Sequence, residues 1–333
     1  MYPVGAWERT RAPAAAIRVL RVTAKHLLAI GGAHIDRRGQ ITGAYAPGAS
    51  NPGTLSAEVG GVVFNAARNA AGRGVAVSLV SVRGGDAGGE AVAKAIAAAG
   101  IADLSSVFLD RTTASYTALI DRDGELIAGL ADMELYEQAF PRVLSRSSFR
   151  DIATRADAVL CDANLPEAAI GRVATAAGGP VHGVAISPAK AVRYIPHLER
   201  LACLFLNLRE AGAIAGLAAD SPVNDLIAAL RGKGLASAVL TAGPGPLTAY
   251  DANGAFAITP PTPRRVADVT GAGDAIAGVT IAALMQGRPL ADAVRAGMAA
   301  AMLTIERPAA VTAISDTALA EALKLVPGPE PMR

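Results

Sequence analysis

The chain has 333 residues, 52% of apolar types and 18% charged, so it can bury a sizeable core and is not a disordered polypeptide. Its net charge of +2 comes from dispersed basic residues, which excludes a basic stripe for nucleic acid. No run reaches the roughly 18 consecutive apolar residues that a membrane span needs.

In chain order, residues 1–24 carry Arg9, Arg11, Arg18 and Arg21 among alanines with no continuous apolar stretch, and read as an N-terminal extension rather than a secretory signal. Leu27–Gly31 reads as a buried strand, and Arg37–Glu58 is rich in Gly, Pro, Ser and Asn with little helical period. A helix follows at Asn65–Ala71, then a strand at Val75–Val80 and a helix at Gly89–Ala99. Thr112–Leu130 holds two β-prone runs joined by Asp123-Gly124, a hairpin signal. Strands are predicted at Ala158–Cys161, Val181–Ile186, Leu201–Leu206 and Ala238–Thr241, with helices at Glu167–Ala177, Arg209–Ala215 and Val223–Lys233. This alternation predicts a three-layer α/β/α domain over residues 25–325 with a mostly parallel central sheet. The segments at about 37–58 and 112–130 suit a small antiparallel β lid at the ligand-binding edge, and 326–333 reads as a Pro-rich tail. Cys161 and Cys203 lie in apolar runs with no CxxC pair, which fits buried thiols in a cytoplasmic protein. His26, His34, His182 and His197 show no metal-ligand spacing, and His34 reads as an ordinary loop histidine.

Chemistry concentrates in Asp268-Val-Thr-Gly-Ala-Gly-Asp274, which precedes a strongly helical Ala-rich run. Small residues at Gly271, Ala272 and Gly273 let the backbone approach a ligand, and first-turn N–H groups of a helix favour an anion. Phosphoryl transfer needs such an anion hole together with a base for the attacking hydroxyl, and Asp274 sits at the same turn. Taken alone, Asp274 is equally well a carboxylate stabilising a helix N-terminus.

Asp268-Val-Thr-Gly-Ala-Gly-Asp274-Ala resembles the C-terminal signature of the ribokinase-like (PfkB) carbohydrate kinases, and Gly60-Gly61 with Asn65 resembles their N-terminal signature. Gly31–Asp36, Asn207-Leu-Arg-Glu210 and Thr241-Ala-Gly243-Pro-Gly245 fall in the family's order, so the resemblance runs from about Leu27 to about Leu325. It implies a ribokinase-like fold that uses ATP, with Asp274 as base. Asp36, Gly60, Gly61 and Asn65 would bind the acceptor, and Thr241, Gly243 and Gly245 would lie beside the triphosphate. Asn207 and Glu210 would organise waters around Mg²⁺, although Asn followed three residues later by Glu is also a helix capping box. Asp268 and Thr270 match positions that hold a monovalent cation such as K⁺ in some relatives, and a structural role fits them equally. A homodimer paired through the lid is also compatible with the resemblance.

Within the family the resemblance is closest to pseudouridine kinases, through Ser50-Asn51-Pro52-Gly53, Thr113-Ala-Ser115-Tyr116, Asp123-Gly124-Glu125-Leu126, Ala131-Asp132-Met133 and Asp162-Ala-Asn164. It implies phosphorylation of the 5′-hydroxyl of a nucleoside. Three departures matter: Val63-Phe64 before Asn65, Val184-Ala-Ile-Ser187 where relatives carry Asp-Pro, and Pro246 in the nucleotide loop. They leave room for a kinase of ribose, fructose or inosine, or for a non-catalytic sugar- or nucleoside-binding relative.

Overall fold

A computed structural model describes residues 25–332, so the extension read at 1–24 lies outside the described residues. In chain order the strands are β1 (His26–Ile30), β2 (His34–Ile41), β3 (Gly53–Gly60), β4 (Ala76–Val80), β5 (Val82–Gly84), β6 (Ala102–Asp103), β7 (Ser106–Phe108), β8 (Ser115–Ile120), β9 (Leu126–Asp132), β10 (Ala158–Asp162), β11 (Val181–Val184), β12 (Cys203–Asn207), β13 (Ala238–Thr241), β14 (Leu247–Asp251), β15 (Gly254–Ile258) and β16 (Glu330–Pro331). The helices are α1 (Val62–Ala71), α2 (Ala87–Ala98), α3 (Glu134–Val143), α4 (Ser147–Arg155), α5 (Glu167–Ala176), α6 (Pro188–Ala191), α7 (Leu208–Ala215), α8 (Val223–Gly232), α9 (Ala272–Met285), α10 (Leu290–Ile305) and α11 (Asp316–Leu325).

The central sheet has the order β16-β15-β14-β13-β12-β11-β10-β1-β4-β6, parallel from β6 to β13 and antiparallel beyond. Its inner strands are near-continuous apolar runs, such as Ala-Val-Leu-Cys in β10 and Cys-Leu-Phe-Leu in β12, because helices cover both faces. From β1 the chain runs outward to β4 and β6, then returns to β10 on the other side and continues toward β13. Strand order therefore reverses between β1 and β10, and loops at that reversal open a crevice at the carboxyl edge. The predicted three-layer architecture stands as observed.

On one face α9 lies between α1 and α10, and the sequence allows very close approach. A Cβ added at Gly278 would stand 2.2 Å from Ala66 O, so the backbones of α1 and α9 meet there.

The two lid segments form a separate sheet of order β3-β2-β8-β9. The expectation of an antiparallel lid needs correction: β2–β3 and β8–β9 are antiparallel hairpins, but β2 and β8 join them in parallel. The second hairpin turns as predicted at Asp123-Gly124, where Gly124 has φ 91° and Asp121 Oδ1 accepts the N–H groups of Asp123 and Glu125. The tail is also corrected. Residues 330–331 pair antiparallel with β15 as an edge strand, and Arg295 donates to Val326 O at 2.8 Å and Pro327 O at 3.0 Å.

Candidate active site

Asp162 ends β10 at the strand-order reversal and is fully buried. It accepts the N–H groups of Gly32 at 3.1 Å, Val63 at 3.3 Å and Asn164 at 3.0 Å. One carboxylate thus ties the loop after β1, the start of α1 and the loop after β10 together. Burial raises its pKa against those bonds, so the fold bears a cost to keep it there.

Around that anchor the structure brings together the residues expected to hold the acceptor. A Cβ at Gly60 would stand 2.0 Å from Asp36 Oδ2, so a side chain there would displace this carboxylate. Gly61, with φ 112°, caps α1 and packs on Gly32 O. Asn65 lies one turn into α1, and its Nδ2 donates to Asp274 Oδ2 at 2.9 Å across 209 residues of sequence. Asn65 Oδ1 is buried with no partner. Val63 and Phe64, which in the sequence crowd the approach to Asn65, are fully buried in the core that α1 covers.

Asp274 occupies the first turn of α9, whose cap Gly271 is left-handed at φ 82°. A Cβ there would stand 2.0 Å from Ala310 O, which explains the glycine. Ala272 N–H makes a long 3.3 Å bond to Val269 O, which leaves the amides of Gly273 and Asp274 as first-turn donors for an anion. Burial pushes the Asp274 carboxyl up to about 7; the Asn65 bond opposes this, and the Asp162 and Asp36 carboxylates add to it. The site therefore contains a carboxylate tuned as a base near neutral pH.

Asp268 accepts Thr270 N–H at 2.8 Å on Oδ1 and the Arg38 guanidinium at 3.3 Å on Oδ2. Each oxygen thus already holds one donor, one of them a cation from β2. Arg265, in the same approach to the turn, donates to Glu306 O at 2.7 Å.

The residues expected on the nucleotide side stand farther along the same edge. Asn207 and Glu210 form the capping box of α7: Asn207 Oδ1 accepts Glu210 N–H at 3.0 Å, and Glu210 Oε2 accepts Asn207 N–H at 2.8 Å. Glu210 is buried and burial raises its pKa, while Asn207 is exposed at the strand end. A buried carboxylate that keeps oxygen donors suits contact with Mg²⁺ through water rather than direct ligation. Thr241 ends β13, and Gly243 at φ 59° with Gly245 forms the open turn to β14. These five residues share the edge with Asp274 but make no direct contact with it among the bonds of the described residues.

Sequence reasoning missed three side chains. His34, read as an ordinary loop histidine, is buried at the start of β2 between Tyr136 and Asp36. Tyr136 comes from α3, where nothing but its place in an apolar helical face marks it. Lys190 of α6 donates from Nζ to Asn164 Oδ1 at 2.7 Å, and burial lowers its pKa. Several residues behind the finer resemblance prove to be staples: Asn51 bonds the backbone of Ala46 and Ala49, and Thr113 bonds Asp86.

Residues 24–317 match the pattern of the pfkB family of carbohydrate kinases. The chain is 28% identical over 274 residues to a pseudouridine kinase of Escherichia coli K12, covering 81% of this chain and 87% of that protein. A carbohydrate kinase from Agrobacterium tumefaciens superposes with a TM-score of 0.82 at 43% identity, covering 92% of this chain and 100% of that one. An Arabidopsis thaliana ribokinase complexed with ribose and ATP superposes with a TM-score of 0.82 at 21% identity, over 90% of this chain and 99% of its own; this likeness bears on the fold.

Proposed function

Since the chain belongs to the pfkB family of carbohydrate kinases, and so is a phosphotransferase with an alcohol group as acceptor, we propose that it phosphorylates the 5′-hydroxyl of a nucleoside, pseudouridine before others, from ATP. The observation that carries the reading is the Asn65–Asp274 bond. It joins the acceptor-binding signature to the phosphate-binding turn and leaves Asn65 Oδ1 as a buried acceptor in want of a hydroxyl donor.

In this mechanism two ribose hydroxyls bond Asp36 and Asn65, which sets the 5′-hydroxyl against Asp274. Asp274 takes the hydroxyl proton as the oxygen bonds the γ-phosphorus and the bond to the β-phosphate oxygen breaks, releasing ADP. The amides of Gly273 and Asp274 stabilise the transferring group, with Gly271 fixing the turn and Ala272 beginning the helix. Thr241, Gly243 and Gly245 carry the triphosphate. Mg²⁺ on the phosphates supplies charge neutralisation, and Asn207 and Glu210 would hold its waters. The two buried free thiols, Cys161 and Cys203, support a reducing, cytoplasmic setting.

The choice of pseudouridine is supported by the 28% relative. A panel of pseudouridine, uridine, inosine, ribose and fructose with Mg·ATP tests it. The expected result is the highest kcat/KM for pseudouridine. Higher turnover of a free sugar would move the assignment to that acceptor, and ligand binding without phosphate transfer throughout would favour a non-catalytic binder.

The same family reading includes a homodimer paired through the β2/β3/β8/β9 sheet. Leu55 on β3 and Leu130 on β9 are each 70% exposed on its outer strands, with Leu126 also exposed on β9, an apolar display that a second copy would cover. Sedimentation should give a dimer that Leu55→Glu/Leu130→Glu dissociates. A wild-type monomer at micromolar concentration would sink the dimer.

A further inference from the structure

Asp36 is the end of a chain of contacts that starts in the core. Tyr136, on the first turn of α3, is fully buried and packs its ring against Phe140 at 5.4 Å between centroids. Its hydroxyl lies 3.2 Å from His34 Nδ1, and the opposite ring nitrogen, Nε2, lies 3.2 Å from Asp36 Oδ1. His34 is only 6% exposed, whereas the Asp36 side chain is 42% exposed toward the crevice.

The chemistry gives this chain a direction. A carboxylate only accepts, so the His34 proton must be on Nε2 to meet Asp36. In the neutral ring Nδ1 is then an acceptor, and the Tyr136 hydroxyl is the donor that meets it. Burial holds the Tyr136 phenol well above its usual pKa, so that donor persists at any physiological pH. The relay therefore runs Tyr136 to His34 to Asp36, each group turned by the one behind it. Without it, Asp36 would have no buried partner and would sample several rotamers before meeting a ligand.

We propose that His34 is the positioning residue of the acceptor site: it holds Asp36 Oδ1, with Tyr136 fixing its ring, so that Oδ2 is presented ready-oriented to the sugar hydroxyls. The inference rests on the reading of Asp36 as the acceptor-binding carboxylate. His34 itself then touches no substrate, because both ring nitrogens are occupied within the protein.

Steady-state kinetics with pseudouridine, and ribose alongside it, test this. His34→Ala should raise KM for the acceptor about tenfold or more, with kcat and KM for ATP within about threefold. A Gln side chain places its amide nitrogen near the site of Nε2, whereas an Asn amide reaches only as far as Nδ1. His34→Gln should therefore restore KM to within about threefold of wild type, and His34→Asn should behave as Ala does. Tyr136→Phe should fall between, with the His34 variants still folded, though His34→Ala should melt lower because it leaves the buried Tyr136 hydroxyl unpaired. An acceptor KM within twofold of wild type for His34→Ala, or Gln and Ala variants that behave alike, overturns the proposal. Asp36→Ala separates the two levels: an unchanged KM in that variant would remove the acceptor reading of Asp36, while an Asp36-sensitive, His34-insensitive enzyme removes only the relay.

Discussion

Asp274→Asn should lower kcat by about 10²–10⁴-fold while acceptor binding, followed by calorimetry, stays within about threefold. The substitution keeps an oxygen that can accept from Asn65 Nδ2, so the crevice geometry survives and only the proton acceptor is lost. The raised pKa adds two signed consequences. Asp274 must be ionised to take the proton, so wild-type kcat/KM should fall tenfold per unit as pH drops below about 7. For stability the sign is opposite. A carboxyl whose folded pKa exceeds its unfolded value contributes stability fully below about pH 4, and loses that contribution as pH rises through about 7. Asp274→Asn removes the buried charge and should raise Tm at pH 8, with little change at pH 4. A variant with near-wild-type turnover would remove Asp274 from the mechanism, whatever its Tm.

Gly278→Ala should be a damaging single-methyl change on the α1 side of the sheet. The added Cβ would meet Ala66 O at 2.2 Å and Ala66 C at 3.0 Å, which are backbone atoms with no rotamer to move. One helix must shift, at a cost of about 1–3 kcal/mol for overpacking and a Tm lower by about 2–4 °C for each kcal/mol. The shift also separates function: Ala66 adjoins Asn65, and Gly278 lies one turn beyond Asp274, so prying α1 from α9 opens the 2.9 Å bond between them. We expect kcat/KM to fall at least about tenfold in protein that still folds, as misplacement by an ångström typically does. Retained activity together with a lowered Tm would show that the α1–α9 contact is structural alone.

The sheet was legible because each inner strand is a short apolar run bounded by turn residues, and Asp123-Gly124 announced its hairpin for the same local reason. The Asn207–Glu210 capping box was legible as a helix start, since both bonds span three residues. What escaped was long-range. The parallel β2–β8 seam joins segments about 78 residues apart, and His34 meets Tyr136 across 102 residues, so neither leaves a periodic or spacing signal. Val63 and Phe64 misled for a related reason: α1 starts at Val62, and its phase turns both into the core rather than toward the ligand.

The β2–β8 seam has a mechanical consequence. Two ordinary hairpin flaps could open independently, each on its own pair of hinges. Here the seam bonds Ile35 through Gln40 to Ser115 through Ile120, so the four strands form one slab. The slab connects to the large sheet at four chain crossings: before His34, after Gly60, before Ser115 and after Asp132. Any swing of the slab must bend the chain at all four crossings at once. Asp36 rides on the slab while Asp274 stays on the base, so stiffening a single crossing, such as Gly60-Gly61, would slow a swing of the whole.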